Sequence, residues 1–121
     1  MKNKTFFDSI KCALWGIGYA FRTEKNFFYY VFIGTAFLII NIIIGVGMTC
    51  HIVYAAVCMG VFATEMINTS IEHMANALTK DIRKQIKVIK DMAAGGVLMW
   101  GGAFFIMEAV IIADALCNYF G

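Results

Sequence analysis

FFYYVFIGTAFLIINIIIGVGM, residues 27–48, decides the fold. It holds no charged residue, and at 1.5 Å per helical residue it is long enough to cross the roughly 30 Å of hydrocarbon in a bilayer. Working outward, a second apolar stretch runs from Cys50 to about Thr69 and continues as a more polar helix to near Leu78. A third runs from Met92 to about Phe120. The expected spans are therefore about 27–48, 50–78 and 92–118. Composition agrees: 61% of the chain is hydrophobic and only 15% charged. A soluble chain of 121 residues could not hide so much apolar surface in its own core. The expected class is an all-α integral membrane protein, one domain over residues 1–121.

The charges orient it. All ten Lys and Arg fall in two places. Lys2, Lys4, Lys11, Arg22 and Lys25 precede the first span, and Lys80, Arg83, Lys84, Lys87 and Lys90 lie in TKDIRKQIKVIKD, residues 79–91, read as a solvated loop. The loop between the first two spans, GVGMTC, is uncharged. The positive-inside rule then predicts a multi-pass protein of the cytoplasmic (inner) membrane, with its N-terminus in the cytoplasm and its C-terminus outside. Residues 5–22 are too polar to span. Phe6, Ile10, Leu14, Ile17 and Phe21 share one helical face, and Asp8, Lys11, Trp15, Tyr19 and Arg22 another, which predicts an amphipathic helix on the membrane surface. Gly95, Gly102 and Ala109 recur every seventh position of the third span, a stripe that predicts close helix packing and an oligomer.

EMINTSIE, residues 65–72, carries the chemistry. Glu65, Asn68 and Glu72 share one helical face, and Asn76 extends it by a turn. Counted from Cys50, Glu65 lies roughly 22 Å into the span, with Glu72 and Asn76 just beyond the hydrocarbon. Lys90 and Asp91 open the third span at the same depth, and Glu24 stands there before the first. Carboxylates can hold Mg²⁺ when phosphates complete its shell, a lysine can neutralise a transferring phosphoryl group, and a further carboxylate can take a hydroxyl proton. Phosphoryl transfer to a membrane alcohol fits this set. So do interfacial salt bridges, and a buried carboxylate also suits a proton or ion pathway.

These stretches resemble a known family. EMINTSIE, then KD at 90–91 and MAAGGVLM after it, are similar to the small prokaryotic diacylglycerol kinases, and IKCALWGIGYAFRTEKNF at 10–27 to their Gram-positive undecaprenol kinase branch. The resemblance implies a homotrimer of three-span subunits with shared active sites, acting on a lipid alcohol with ATP and Mg²⁺, amid membrane lipids and with no nucleic acid. It implies that Glu65 is the general base, that Glu24 and Glu72 hold Mg²⁺, that Asn68 gives polar support, that Lys90 meets the γ-phosphate, and that Asp91 meets the nucleotide. Asn76 stands where the family usually has Asp, Cys12 where it has Tyr, and Arg83 where it has His; Phe28 stands where the Gram-positive members have Arg. Several of these positions line the nucleotide site in the family, so altered ATP binding is expected. A catalytically degenerate relative serving as a membrane scaffold and a proton-coupled transport subunit stay open as alternatives.

Other residues carry plainer expectations. His73 reads as an interfacial side chain on a different face from Glu72. Asn41 suits an interhelical hydrogen bond. Glu108, about 25 Å from the start of the last span, is expected to reach water at the far boundary. The cysteines have no metal or redox spacing.

Overall fold

The computed structural model describes residues 5–78 and 83–121 and consists of four helices, α1 (Phe6–Thr23), α2 (Lys25–Ile44), α3 (Met48–Leu78) and α4 (Lys84–Phe120). Lys2, Lys4, Lys80 and the start of the charged loop lie outside the described residues. Three helices, α2, α3 and α4, are long and apolar enough to cross a membrane.

Each break between helices has a local cause. The α1 start is a capping box: Asp8 N–H donates to Thr5 Oγ1 at 3.2 Å and Thr5 N–H to Asp8 Oδ2 at 3.3 Å. One extended residue, Glu24, separates α1 from α2 (φ −103°, ψ 120°), and its N–H still donates to Ala20 O at 3.0 Å. Gly45 ends α2 in the left-handed region (φ 82°), where its N–H reaches the carbonyls of Asn41 and Ile42. This stop falls at Ile44, short of the expected Met48, because a positive φ suits glycine and ends the helical ladder. At the other end α4 starts earlier than its apolar run. Lys84–Asp91, read as loop, is helical. Lys, Gln and Ile tolerate helix well, and Lys87 pairs with Asp91 one turn on.

Helix α3 has 31 residues, roughly 46 Å, and α4 has 37, roughly 55 Å. They pack along one another as the main framework. Gly60 lets Trp100 pack directly on α3, since a Cβ there would fall 2.5 Å from its ring carbons. Two aromatic clusters join the remaining helices to this pair. Phe21, Phe27 and Phe62 lie with ring centroids 5.0, 5.4 and 5.6 Å apart, tying α1 and α2 to α3. Further along, Phe37 and Tyr54 each pack on Phe104 at 5.6 Å, and the Tyr54 hydroxyl donates to the Gly34 carbonyl.

Most large apolar side chains face outward, among them Phe32, Ile43, Leu98 and Met99. In water such a surface would be prohibitive; in hydrocarbon it is solvated. Added Cβ atoms at Gly95, Gly101 or Gly102 would meet nothing within 4 Å among the described residues, so there is room beside these glycines.

Candidate active site

Glu65 is the best-enclosed group of the acidic ladder, 3% exposed near the middle of α3. Its oxygens are both engaged from α2. Asn26 Nδ2 donates to Oε1 at 2.9 Å and the Tyr30 hydroxyl to Oε2 at 3.3 Å. Burying a carboxylate is tolerable when donors replace the lost water, and here two donors do so. One turn on, Asn68 is 7% exposed and its Nδ2 reaches Glu72 Oε1 at 3.4 Å, while its Oδ1 has no hydrogen-bond partner among the described residues. A further turn brings Asn76, whose Oδ1 accepts from Lys90 Nζ at 2.8 Å and so joins the ends of α3 and α4. Glu65, Asn68, Glu72, Asn76 and Lys90 thus form one line, running from the buried interior to the exposed end of the helix pair.

Glu24 and Asp91 stand to the sides of that line. Glu24 Oε1 lies 3.5 Å from His73 Nε2, across the junction of α1 and α2 with α3. His73, its side chain 59% exposed, thus faces an expected metal ligand, on a side of α3 that also borders a cavity lined by Gly16, Thr23 and Ser70. Asp91 Oδ2 pairs with Lys87 at 2.6 Å, with both side chains well exposed. Exposed pairs of this kind contribute little. Among the described residues no three His, Cys, Asp or Glu side chains cluster tightly enough to hold a metal by themselves. The two carboxylates expected to hold a metal are each engaged with a neighbour on α3, Glu24 with His73 and Glu72 with Asn68. Carboxylate oxygens are the donor type that Mg²⁺ takes, which keeps waters or phosphate oxygens in its shell and needs only one or two carboxylates.

Two residues escaped the sequence reading, Tyr30 and the hydrogen-bonding role of Asn26. Their spacing of four places both on the α2 face that meets Glu65. Glu108 corrects another expectation. It is 2% exposed and accepts from Asn41 Nδ2 at 2.8 Å, so the carboxylate turns inward to α2 instead of reaching water. The bond foreseen for Asn41 is present. Cys50 and Cys117 are not joined by a disulfide.

Fold and site define a small helical membrane protein whose acidic centre opens at one end of the bundle. Comparison with known proteins makes the class specific. A family model for prokaryotic diacylglycerol kinase matches residues 11–112. An undecaprenol kinase of Bacillus subtilis is 32% identical over 111 residues, covering 92% of this chain and 90% of that protein. A diacylglycerol kinase of Synechocystis is 28% identical over 111 residues, covering 91% of this chain and 63% of that protein. The chain belongs to the prokaryotic diacylglycerol kinase family. It is a lipid kinase, and membership in a kinase family implies ATP as the cosubstrate.

Proposed function

We propose that the chain transfers the γ-phosphoryl group of MgATP to the hydroxyl of undecaprenol or diacylglycerol, with Glu65 as general base. One observation carries this reading: a carboxylate 3% exposed in an apolar helix begins a polar line that ends at Lys90. Glu65 takes the hydroxyl proton while the alcohol oxygen bonds to the γ-phosphorus. The bond from that phosphorus to its bridging oxygen breaks, and ADP leaves with the electron pair. Lys90, already held at Asn76, neutralises charge on the γ-phosphate, and Asp91 meets the nucleotide. Asn68 and Asn76 supply polar contacts along the same line. Glu24 and Glu72 would hold Mg²⁺, which when bound supplies charge neutralisation to the phosphates.

The ladder end faces the cytoplasm in this reading, with the C-terminus outside, as the clustering of basic residues supports. Helix α1 lies on that surface of the inner membrane, beside the site. Subunits assemble as homotrimers with shared active sites, a reading supported by the room beside the small residues of α4 among the described residues. The experiment is direct: purified protein is incubated with labelled ATP and a panel of lipid alcohols in detergent micelles, with Mg²⁺ titrated. Labelled lipid phosphate, dependent on Mg²⁺ and independent of any membrane potential, is expected. Absence of labelled lipid across the panel would overturn the proposal.

A further inference from the structure

Asn26 and Tyr30 have no part in the chemistry set out so far, yet they are the two residues that grip its base. A glutamate side chain has three rotatable bonds, so the backbone of α3 alone does not set the plane of the Glu65 carboxylate. Asn26 and Tyr30 do. They stand four apart on α2 and take one oxygen each, at 2.9 and 3.3 Å. Each hydrogen bond uses one lone pair of its oxygen and leaves the other to accept a proton.

Both donors are themselves anchored. Tyr30 packs edge-on against Phe62 at 6.1 Å and 73°. Asn26 is exposed, but the next residue, Phe27, is 0% exposed in the cluster with Phe21 and Phe62, which holds the first turn of α2 in place. Tyr30 also lines an apolar cavity of about 90 Å³, together with Ile33, Cys58, Val61 and Phe104. Tyr30 therefore lies between the carboxylate that its hydroxyl meets and an apolar space of the kind a lipid chain can enter.

We propose that Asn26 and Tyr30 are positioning residues for phosphoryl transfer, which clamp the two oxygens of Glu65 so that a free lone pair meets the lipid hydroxyl. The proposal rests on the reading of Glu65 as the base. A group that acts only through Glu65 loses its influence when Glu65 no longer accepts a proton, and that supplies the test.

Asn26→Leu and Tyr30→Phe are made in the full chain, each alone and each combined with Glu65→Gln. Turnover is measured with undecaprenol in micelles and MgATP varied. In the parent background Asn26→Leu is expected to lower kcat about tenfold to a hundredfold, the cost of a misplaced catalytic group. Tyr30→Phe is expected to lower it about threefold to tenfold, since it removes one ordinary hydrogen bond. KM for MgATP should not move in either case, and neither change should lower the residual rate of Glu65→Gln any further. A rise in KM at unchanged kcat would overturn the proposal in favour of nucleotide contacts. An equal fold-loss in the Glu65→Gln background would overturn it in favour of a purely structural role. If Asn26→Leu fails to fold, Tyr30→Phe, which keeps the ring on Phe62, decides alone. Full activity of Glu65→Gln would overturn the base reading itself, a result separate from anything the α2 variants show.

Discussion

Glu65 and Glu108 are 3% and 2% exposed, and each accepts a hydrogen bond from an asparagine of α2. Asn26 and Asn41, the two donors, stand roughly 22 Å apart along that helix. Beyond this the sites diverge. At Glu65 both oxygens are engaged, the asparagine is exposed, and polar groups continue outward to Lys90. At Glu108 both members are buried, a single hydrogen bond joins them, and Asn41 Oδ1 and Glu108 Oε2 have no hydrogen-bond partner among the described residues. Phe104, one turn before Glu108, is itself buried. The same pair chemistry thus serves two ends. Under the proposed function the pair that connects to a polar line serves proton exchange with the substrate, while the sealed pair joins α2 to α4.

Exchanging each glutamate for its amide should separate these uses. Glu65→Gln keeps the shape but cannot take a proton, so turnover is expected to fall by about 10²–10⁴-fold while the protein stays assembled. Glu108→Gln should leave turnover nearly unchanged, because its new amide can still accept from Asn41 Nδ2 and can also donate to the unpartnered Asn41 Oδ1. Radiolabelled ATP assays on both variants check this, and equal losses would erase the distinction between the sites.

A stability measurement is the next largest contrast. Glu108→Leu strands the Asn41 amide in an apolar setting, at a cost of about 1–3 kcal/mol. The loss should appear as earlier thermal unfolding in detergent, with turnover per folded molecule unchanged. Adding Asn41→Leu should restore most of that stability, since removing both partners of a buried pair is far less damaging than removing one. A double variant no better than Glu108→Leu would show that the pair is not what matters there.

The smallest effect concerns the solvent end of the Glu65 line. Asn76→Asp, the residue the resemblance leads one to expect there, turns the charge-assisted contact to Lys90 into a full ion pair and adds an anion near the expected metal. KM for MgATP is expected to fall several-fold, within the roughly tenfold that 1.4 kcal/mol represents, with kcat little changed. A KM that does not respond would confine the influence of Asn76 to tying the two helices together.

The sequence discloses elements whose signal is local. An uncharged apolar run announces α2, the apolar spacing from Phe6 to Phe21 announces α1, and the turn spacing of Glu65, Asn68 and Glu72 their common face. What it conceals depends on how two helices are rotated and slid against each other. A helix in lipid is apolar on nearly every side, so hydropathy says little about which side meets a neighbour. Tyr30 and Glu65 are 35 positions apart and Asn41 and Glu108 are 67 apart, and no periodicity links them. The early start of α4 was hidden for another reason: Lys84–Asp91 is charged enough to read as loop, yet nothing in it breaks a helix.

The lengths of the helices set a mechanical hierarchy. With 20 residues, α2 measures roughly 30 Å and is flush with an average bilayer, whereas α3 and α4 overshoot it and can absorb a change in thickness by tilting. Helix α2 has no such slack, because Glu24 and Gly45 stop it at both ends. Hydrophobic mismatch, at fractions of a kcal/mol per ångström, therefore acts on α2 first. That helix carries Asn26 and Tyr30 near one end and Asn41 near the other, so a mismatch that shifted α2 would move the donors of both buried carboxylates.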